Sequence, residues 1–228
     1  MNRLLLPLAL LASLQACNGP SGGGGAGVAS SGDGSGYTDI SSLDNWRGYK
    51  KDGVPETWIQ DADGAIHLVR GGGGDLITRA QYRSFDLELE WKISPRGNSG
   101  IMYRVAETDG ASYMTGPEMQ VLDNSVAGGD LSVSAGADYA LHAPEADNTR
   151  PVGEWNAVRI RVDGNSVTYW LNGVQQCAYE LFSDAWEERV ANSKFAKWPE
   201  FGRRSRGHIC LQDHGDEVWY RNIRIRKL

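Results

Sequence analysis

Phe85-Asp-Leu-Glu-Leu-Glu-Trp-Lys-Ile93 alternates apolar and charged side chains without a break. A period of two is the mark of a strand with one face on a core and the other in water. Leu87, Leu89, Trp91 and Ile93 take the core side; Asp86, Glu88, Glu90 and Lys92 take the other. The pattern recurs downstream, where Val158, Ile160 and Val162 point inward and Arg159 and Arg161 outward along Trp155 to Val162. Asp163-Gly164 and Asn172-Gly173 are successive tight-turn signals, so this strand continues into Val167–Leu171 and Val174–Tyr179 as a three-stranded meander. Upstream, Trp58-Ile-Gln and Ala65-Ile-His-Leu-Val69 flank Asp63-Gly64 and read as another hairpin. Ser99–Val105, the strand within Gly116–Asn124, His208–His214 and Val218–Ile225 bring the total to about a dozen strands. Helical signals are confined to a capped turn at Ser41–Trp46 and a short segment after Ser183. With scarcely any helix and no crossover units, the chain is all-β, built from two packed antiparallel sheets. Residues 124–150 lack periodicity and read as a long loop over one rim, a usual place for function.

The 228 residues carry 23 basic and 29 acidic side chains, a net charge of −6. No basic patch stands out, which argues against nucleic acid as a partner. The 29 Gly, 8 Trp and 9 Tyr suit a turn-rich β-protein, and indole faces also suit sugar rings. Gly71 to Gly74 is followed by no Lys-Ser/Thr and sits in no βαβ unit, so it is read as a loop and not a phosphate cradle. Cys177 and Cys210 fall within strands; they either pair or stay as buried thiols.

Met1-Asn-Arg3 precedes an apolar run, Leu4 to Leu14, that is too short to span a bilayer comfortably. The run ends in Leu14-Gln-Ala-Cys17, which resembles the lipobox of bacterial lipoproteins. That resemblance implies a signal peptide over 1–16 and a diacylated Cys17. A Gly/Ser-rich tether over 17–36 then holds one β-domain, 37–228, at the membrane. Asn18 in place of Asp after the cysteine points to the outer membrane of the bacterial envelope.

Within Gly116-Pro-Glu-Met-Gln-Val-Leu-Asp-Asn124, Glu118 and Gln120 share one face, and Met119 and Val121 the other. Four strands carry polar residues at one parity: Glu88 with Glu90, Asn98 with Arg104, Glu118 with Gln120, and Gln212 with His214. Placed side by side, such rows make a polar floor for a hydroxyl-rich ligand. Arg104 would hold partial negative charge, and Glu118 or His214 would move a proton. His208, His214 and Glu118 also offer a metal set. Glu118 and Asp123 lie on opposite parities and form no obvious glycosidase pair. Neither Gly-x-Ser-x-Gly, His-Glu-x-x-His nor Cys-x-x-Cys occurs.

In combination, Phe85–Ser94, Gly97-Asn-Ser-Gly-Ile-Met-Tyr-Arg104, Gly116–Asn124, Gly153-Glu-Trp-Asn156, Trp170-Leu-Asn-Gly173, Ser193-Lys-Phe195 and Gly207-His-Ile-Cys-Leu-Gln-Asp-His-Gly215 resemble the 3-keto-disaccharide hydrolase, or 3-keto-glucoside 1,2-lyase/hydratase, domain. The likeness covers residues 37 to 228. It implies a concanavalin A-like jelly roll with its site on the concave sheet, and cleavage of 3-keto-glycosides. A ketone at C3 acidifies the C2 hydrogen; its removal gives an enediolate that expels the C1 substituent. Such a site needs a base, an electrophile for the C3 oxygen and an acid for the leaving oxygen. A divalent metal can supply the electrophile. Glu118, His214 and Arg104 are the expected catalytic residues, Gln120, Asn98 and Gln212 the expected substrate ligands, and Asp123 and Lys194 weaker candidates at the rim. Relatives often carry Leu-Tyr-Asp/Gly-Leu before an Ala-Pro; Asp138-Tyr-Ala-Leu-His142-Ala-Pro departs from that and borders the expected site. A non-catalytic, lectin-like envelope lipoprotein is the competing reading.

Overall fold

The structure, a computed structural model, describes residues 36–228. The expected signal peptide, Cys17 and nearly all of the tether lie outside the described residues. In chain order the strands are β1 (Thr38–Asp39), β2 (Trp46–Gly48), β3 (Trp58–Gln60), β4 (Ile66–Leu68), β5 (Leu76–Thr78), β6 (Phe85–Ile93) and β7 (Asn98–Val105). They continue as β8 (Glu118–Leu122), β9 (Asn156–Asp163), β10 (Ser166–Leu171), β11 (Val174–Glu180), β12 (His208–Leu211) and β13 (Val218–Lys227). One helix, α1 (Asp184–Ala191), starts where the Ser183 hydroxyl accepts from the Trp186 amide. The strands form a two-sheet antiparallel jelly roll. The larger sheet runs β11-β10-β9-β6-β13-β4-β3, with β1 also on β13; the smaller runs β2-β5-β12-β7-β8.

The alternation in β6 builds the interface between the sheets. Leu87, Leu89, Trp91 and Ile93 are at most 2% exposed and pack against Ile101, Tyr103, Met119 and Val121 of the smaller sheet in one core. The meander turns as its sequence dictates, with Asn172 and Gly173 both at positive φ, the conformation a two-residue hairpin loop requires. The early helical turn is Leu43–Asn45, capped by Ser42. Residues 124–150 hold only two short 3-10 turns and run beside β8. Cys177 and Cys210 are both free and buried.

The two sheets differ in what covers them. On the larger sheet much of the outer face is part-exposed, so β6, β9 and β10 largely alternate. On the smaller sheet every residue of β8 and β12 is buried, as are all but the first of β7. Loops cover its outer face. Part of that face is apolar, where Ile77, Met102, Val105 and Cys210 pack with Tyr49. The rest is polar, and the site lies there.

Candidate active site

Strand pairing brings part of the expected polar floor together, on β7, β8 and the end of β12, whereas Glu88 and Glu90 on β6 belong to the other sheet. Met102 of β7 lies opposite Glu118 and Gly100 opposite Gln120, while Gln212, just past β12, bonds through its amide to the Gly100 carbonyl at 3.0 Å. Glu118, Gln120, Asn98, Gln212, His214 and Lys194 line one cavity of about 620 Å³. Gly100 makes this packing possible, because a Cβ there would lie 2.0 Å from Glu118 Oε1; only glycine lets the carboxyl lie across the neighbouring strand.

The amides are placed to receive hydrogen bonds. Gln120 Nε2 donates to the Val133 carbonyl at 3.3 Å, which turns its oxygen the other way. Among the described residues, Asn98 Oδ1, Gln120 Oε1 and Gln212 Oε1 are buried and have no partner within the protein. Buried polar atoms are rarely left so, and three on one cavity wall suit a ligand rich in hydroxyl donors. Glu118 is 9% exposed and, among the described residues, receives no hydrogen bond that would favour its charged form. Burial raises its pKa to about 8, with Asp75 and Asp138 adding to the rise and Lys194 opposing it. Near neutral pH the carboxyl therefore keeps its proton.

Asp75 is a site residue that the sequence patterns did not mark. It lines the same cavity, accepts from the Asp213 amide at 2.8 Å and is bonded by the Ser112 hydroxyl. Burial raises its pKa, and those two bonds and His214 pull against the rise. The signal that could have found it is the glycine loop. Asp213 accepts from the Gly72 and Gly74 amides at 3.0 and 2.8 Å, so Gly71–Gly74 is folded onto the end of β12 and delivers Asp75 to the cavity.

Three expectations are corrected. Arg104 does not line the cavity. It is 1% exposed, and its guanidinium bonds to the Gly164 carbonyl at the β9–β10 turn of the other sheet. The cause is a bulge, for Arg104 has φ 53° and the β7–β12 register shifts between His208 and Cys210. The shift breaks the period of two, so that Val105 takes the place beside Met102. Asp123 is a cap, accepting from the amides of Arg96 and Ser125 at 2.6 and 3.0 Å, and it lines a separate cleft. His208 is 4% exposed, bonded to the Thr78 carbonyl at 2.6 Å and to Gln81 at 3.0 Å, with burial lowering its pKa. It is a neutral structural histidine, and the metal set of His208, His214 and Glu118 is not assembled. Among the described residues no three His, Cys, Asp or Glu side chains are placed to hold an ion. The departing segment at 138–144 is held by its own pair, Asp138 Oδ2 and His142 Nδ1 at 2.8 Å, with His142 stacked on Tyr179. It presents Tyr139 to the cavity wall.

A larger groove, about 830 Å³, lies on the outer face of the other sheet. Its charged groups answer one another: Glu88 with Arg224 and Tyr37, and Glu90 with Arg221. Nothing comparable to the three open amide oxygens is found there.

Residues 36–226 match the model of the 3-keto-alpha-glucoside-1,2-lyase-like domain. A 3-keto-disaccharide hydrolase of Bacteroides thetaiotaomicron is 36% identical over 86% of this chain and 80% of its own length. A crystal structure from Parabacteroides distasonis, provisionally assigned as a glycosyl hydrolase, superposes with a TM-score of 0.77 at 31% identity, covering 85% of this chain and 94% of that one. The carbohydrate-binding module CBM66 of Bacillus subtilis shares the fold at 13% identity, with a TM-score of 0.51 over 80% of this chain and 96% of its own. The chain belongs to the 3-keto-alpha-glucoside-1,2-lyase-like domain family.

Proposed function

We propose that the protein cleaves 3-keto-glycosides by removing the C2 proton and expelling the C1 substituent. The observation that carries this reading is the buried Glu118 carboxyl set on one cavity wall with three unpartnered amide oxygens. The oxygens of Asn98, Gln120 and Gln212 receive sugar hydroxyls. Glu118, protonated, donates a hydrogen bond to the C3 ketone oxygen as negative charge grows there, a role that a carboxylate could not fill. His214, exposed at the cavity mouth, takes the C2 proton, and Asp75 beside it favours the imidazolium that results. The electron pair of the C2–H bond forms the enediolate. Its collapse breaks the C1–O bond, and the departing oxygen takes a proton from His214 or water. Addition of water across C1=C2 then gives the 3-keto-sugar. Lys194, whose charge is felt at Glu118, stands where it can steady the departing oxygen.

The route is tested by turning over a 3-keto-disaccharide in D₂O and following the products by NMR. Deuterium at C2, or a transient glycal, is expected. Direct hydrolysis with C2 hydrogen fully retained would overturn the elimination, and binding without turnover would leave a lectin-like module. The same assay run with a chelator and with Mn²⁺, Co²⁺ or Ca²⁺ restored decides whether a divalent cation is required.

The domain would work at the bacterial envelope, anchored by lipid on Cys17, as Leu14-Gln-Ala-Cys17 supports. Cys17→Ser should move the protein from the membrane fraction to the soluble fraction; an unchanged distribution would count against the anchor.

A further inference from the structure

The cavity has two zones, and the chemistry above uses only the floor. Its mouth is aromatic. Tyr113, in the 3-10 turn Ser112–Met114, is 39% exposed. Trp198 caps the turn Lys194–Lys197 and is half-buried. Their ring centroids are 5.1 Å apart with planes at 55°. Two loops distant in sequence thus bring two rings together at the edge of a cavity and not within the core.

Packing alone does not require this pair. Beneath it the core is already closed by Phe195 and Phe201, at 4% and 2% exposure and stacked 4.0 Å apart. Large apolar surface left open beside polar groups marks a place that something covers. The cavity's 620 Å³ is more than a single hexose fills, and lies in the range of a pocket for a larger ligand. A pyranose offers a face of C–H bonds, and an aryl group a π face; either stacks on Tyr and Trp rings. Lys197, its ammonium 4.7 Å from the Trp198 ring centroid, and Lys194, 4.0 Å from that of Tyr139, add hydrogen-bond donors around the same opening.

We propose that Tyr113 and Trp198 form the subsite for the leaving group, and that they select 3-keto-glycosides whose C1 substituent is itself a ring. The inference rests on the floor holding the keto-sugar, as argued above. It adds what sits over it: a second pyranose or an aryl group in preference to an open alkyl chain.

The test compares kcat/KM on three substrates sharing one 3-keto-glucosyl unit: a disaccharide, a phenyl glucoside and a methyl glucoside. For the unaltered protein, at least one ring-bearing substrate should exceed the methyl one by about tenfold, as stacking of about 1.4 kcal/mol implies. Tyr113→Ala and Trp198→Ala should each pull that ratio toward one, mainly through KM, while Trp198→Phe keeps most of it. Loss of the preference for the disaccharide alone identifies a sugar as the natural ring; loss for the phenyl substrate alone identifies an aryl group. Equal losses on all three substrates would reduce the rim to scaffolding, and an unchanged ratio in both alanine variants would remove it from recognition. If none of the three is turned over, the functional reading fails but the subsite can still be judged. Calorimetric titration with the disaccharide and with the free 3-keto-sugar should then show tighter binding of the disaccharide, lost in Trp198→Ala. No difference between the two ligands would overturn the subsite.

Discussion

The outer faces of the two sheets carry similar residue types and treat them differently. On the larger sheet, charges meet partners on neighbouring strands. Asp86 is fully buried, and burial works to raise its pKa; a bidentate Arg159 at 2.7 Å and Arg226 at 3.0 Å more than offset this, and its pKa lies below the ordinary value. Glu90 and Arg221 pair across β6 and β13 at 2.6 Å. On the smaller sheet Glu118 is buried with no such partner, and three amide oxygens beside it go unanswered. A stable fold completes its own hydrogen bonds. Where it leaves several incomplete in one hollow, the remaining partners are expected from a ligand.

The largest effect that would break this contrast is loss of the Glu118 proton. Glu118→Gln presents a weaker donor to the oxygen on which charge grows, so kcat should fall by about 10²–10³, with affinity for a non-reacting analogue changed only a few-fold. Steady-state kinetics beside calorimetry would show it; a variant that keeps its kcat would remove Glu118 from the chemistry. The wild-type rate should also decline as pH rises through about 8, where the carboxyl ionises.

Stability should move the opposite way from activity. Glu118 is raised from an ordinary 4.5 to about 8, so the folded chain keeps a proton that the unfolded chain has released. This contribution is fully present below pH 4.5 and is lost as pH rises to about 8. Glu118→Gln does not ionise. It should therefore be more stable than wild type by roughly 3 kcal/mol at pH 7, with the gap closing toward pH 4. Urea melts at pH 4, 7 and 9 would check the sign. A variant less stable at pH 9 than wild type would mean that the carboxylate has a partner in the folded state.

The larger sheet was legible in the sequence because water wets one of its faces, so β6, β9 and the meander alternate. The smaller sheet was harder. β2 and β5 are three residues each, too short for a period to show, and Asp75 stands immediately before one of them. Glu118, Gln120 and Asn98 could be grouped by parity because β7 and β8 are regular where those residues lie, and Gln212 joins them just past β12. Arg104 could not be placed that way, since a bulge at that residue reverses parity without any mark in a Tyr-Arg-Val string. Asp123 and His208 are polar for reasons of capping and backbone pairing that are decided only when distant loops arrive. The cavity mouth rests on Tyr113 and Trp198, which no strand pattern unites.

A smaller effect separates binding from folding at one amide. Gln212 is 8% exposed, and its oxygen has no partner within the protein. Gln212→Met fills similar volume without the unmet acceptor. It should raise stability by about 1 kcal/mol while raising KM several-fold through the lost contact to a hydroxyl. Destabilisation with unchanged KM would show that the oxygen serves the fold.

The smallest expected effect is on the opposite face, and it tests the contrast from its other side. Glu90 and Arg221 are 29% and 35% exposed in their side chains, so water screens the pair and its removal is cheap. Glu90→Gln should cost under about 1 kcal/mol, shrinking further in high salt. It should leave kcat/KM on a 3-keto-disaccharide within twofold, although Glu90 lines the larger of the two hollows. Size is a poor guide to a site when the groups around a hollow already satisfy each other. A tenfold loss of activity in Glu90→Gln, with folding intact, would reverse that judgement and move the site to the eight-stranded sheet.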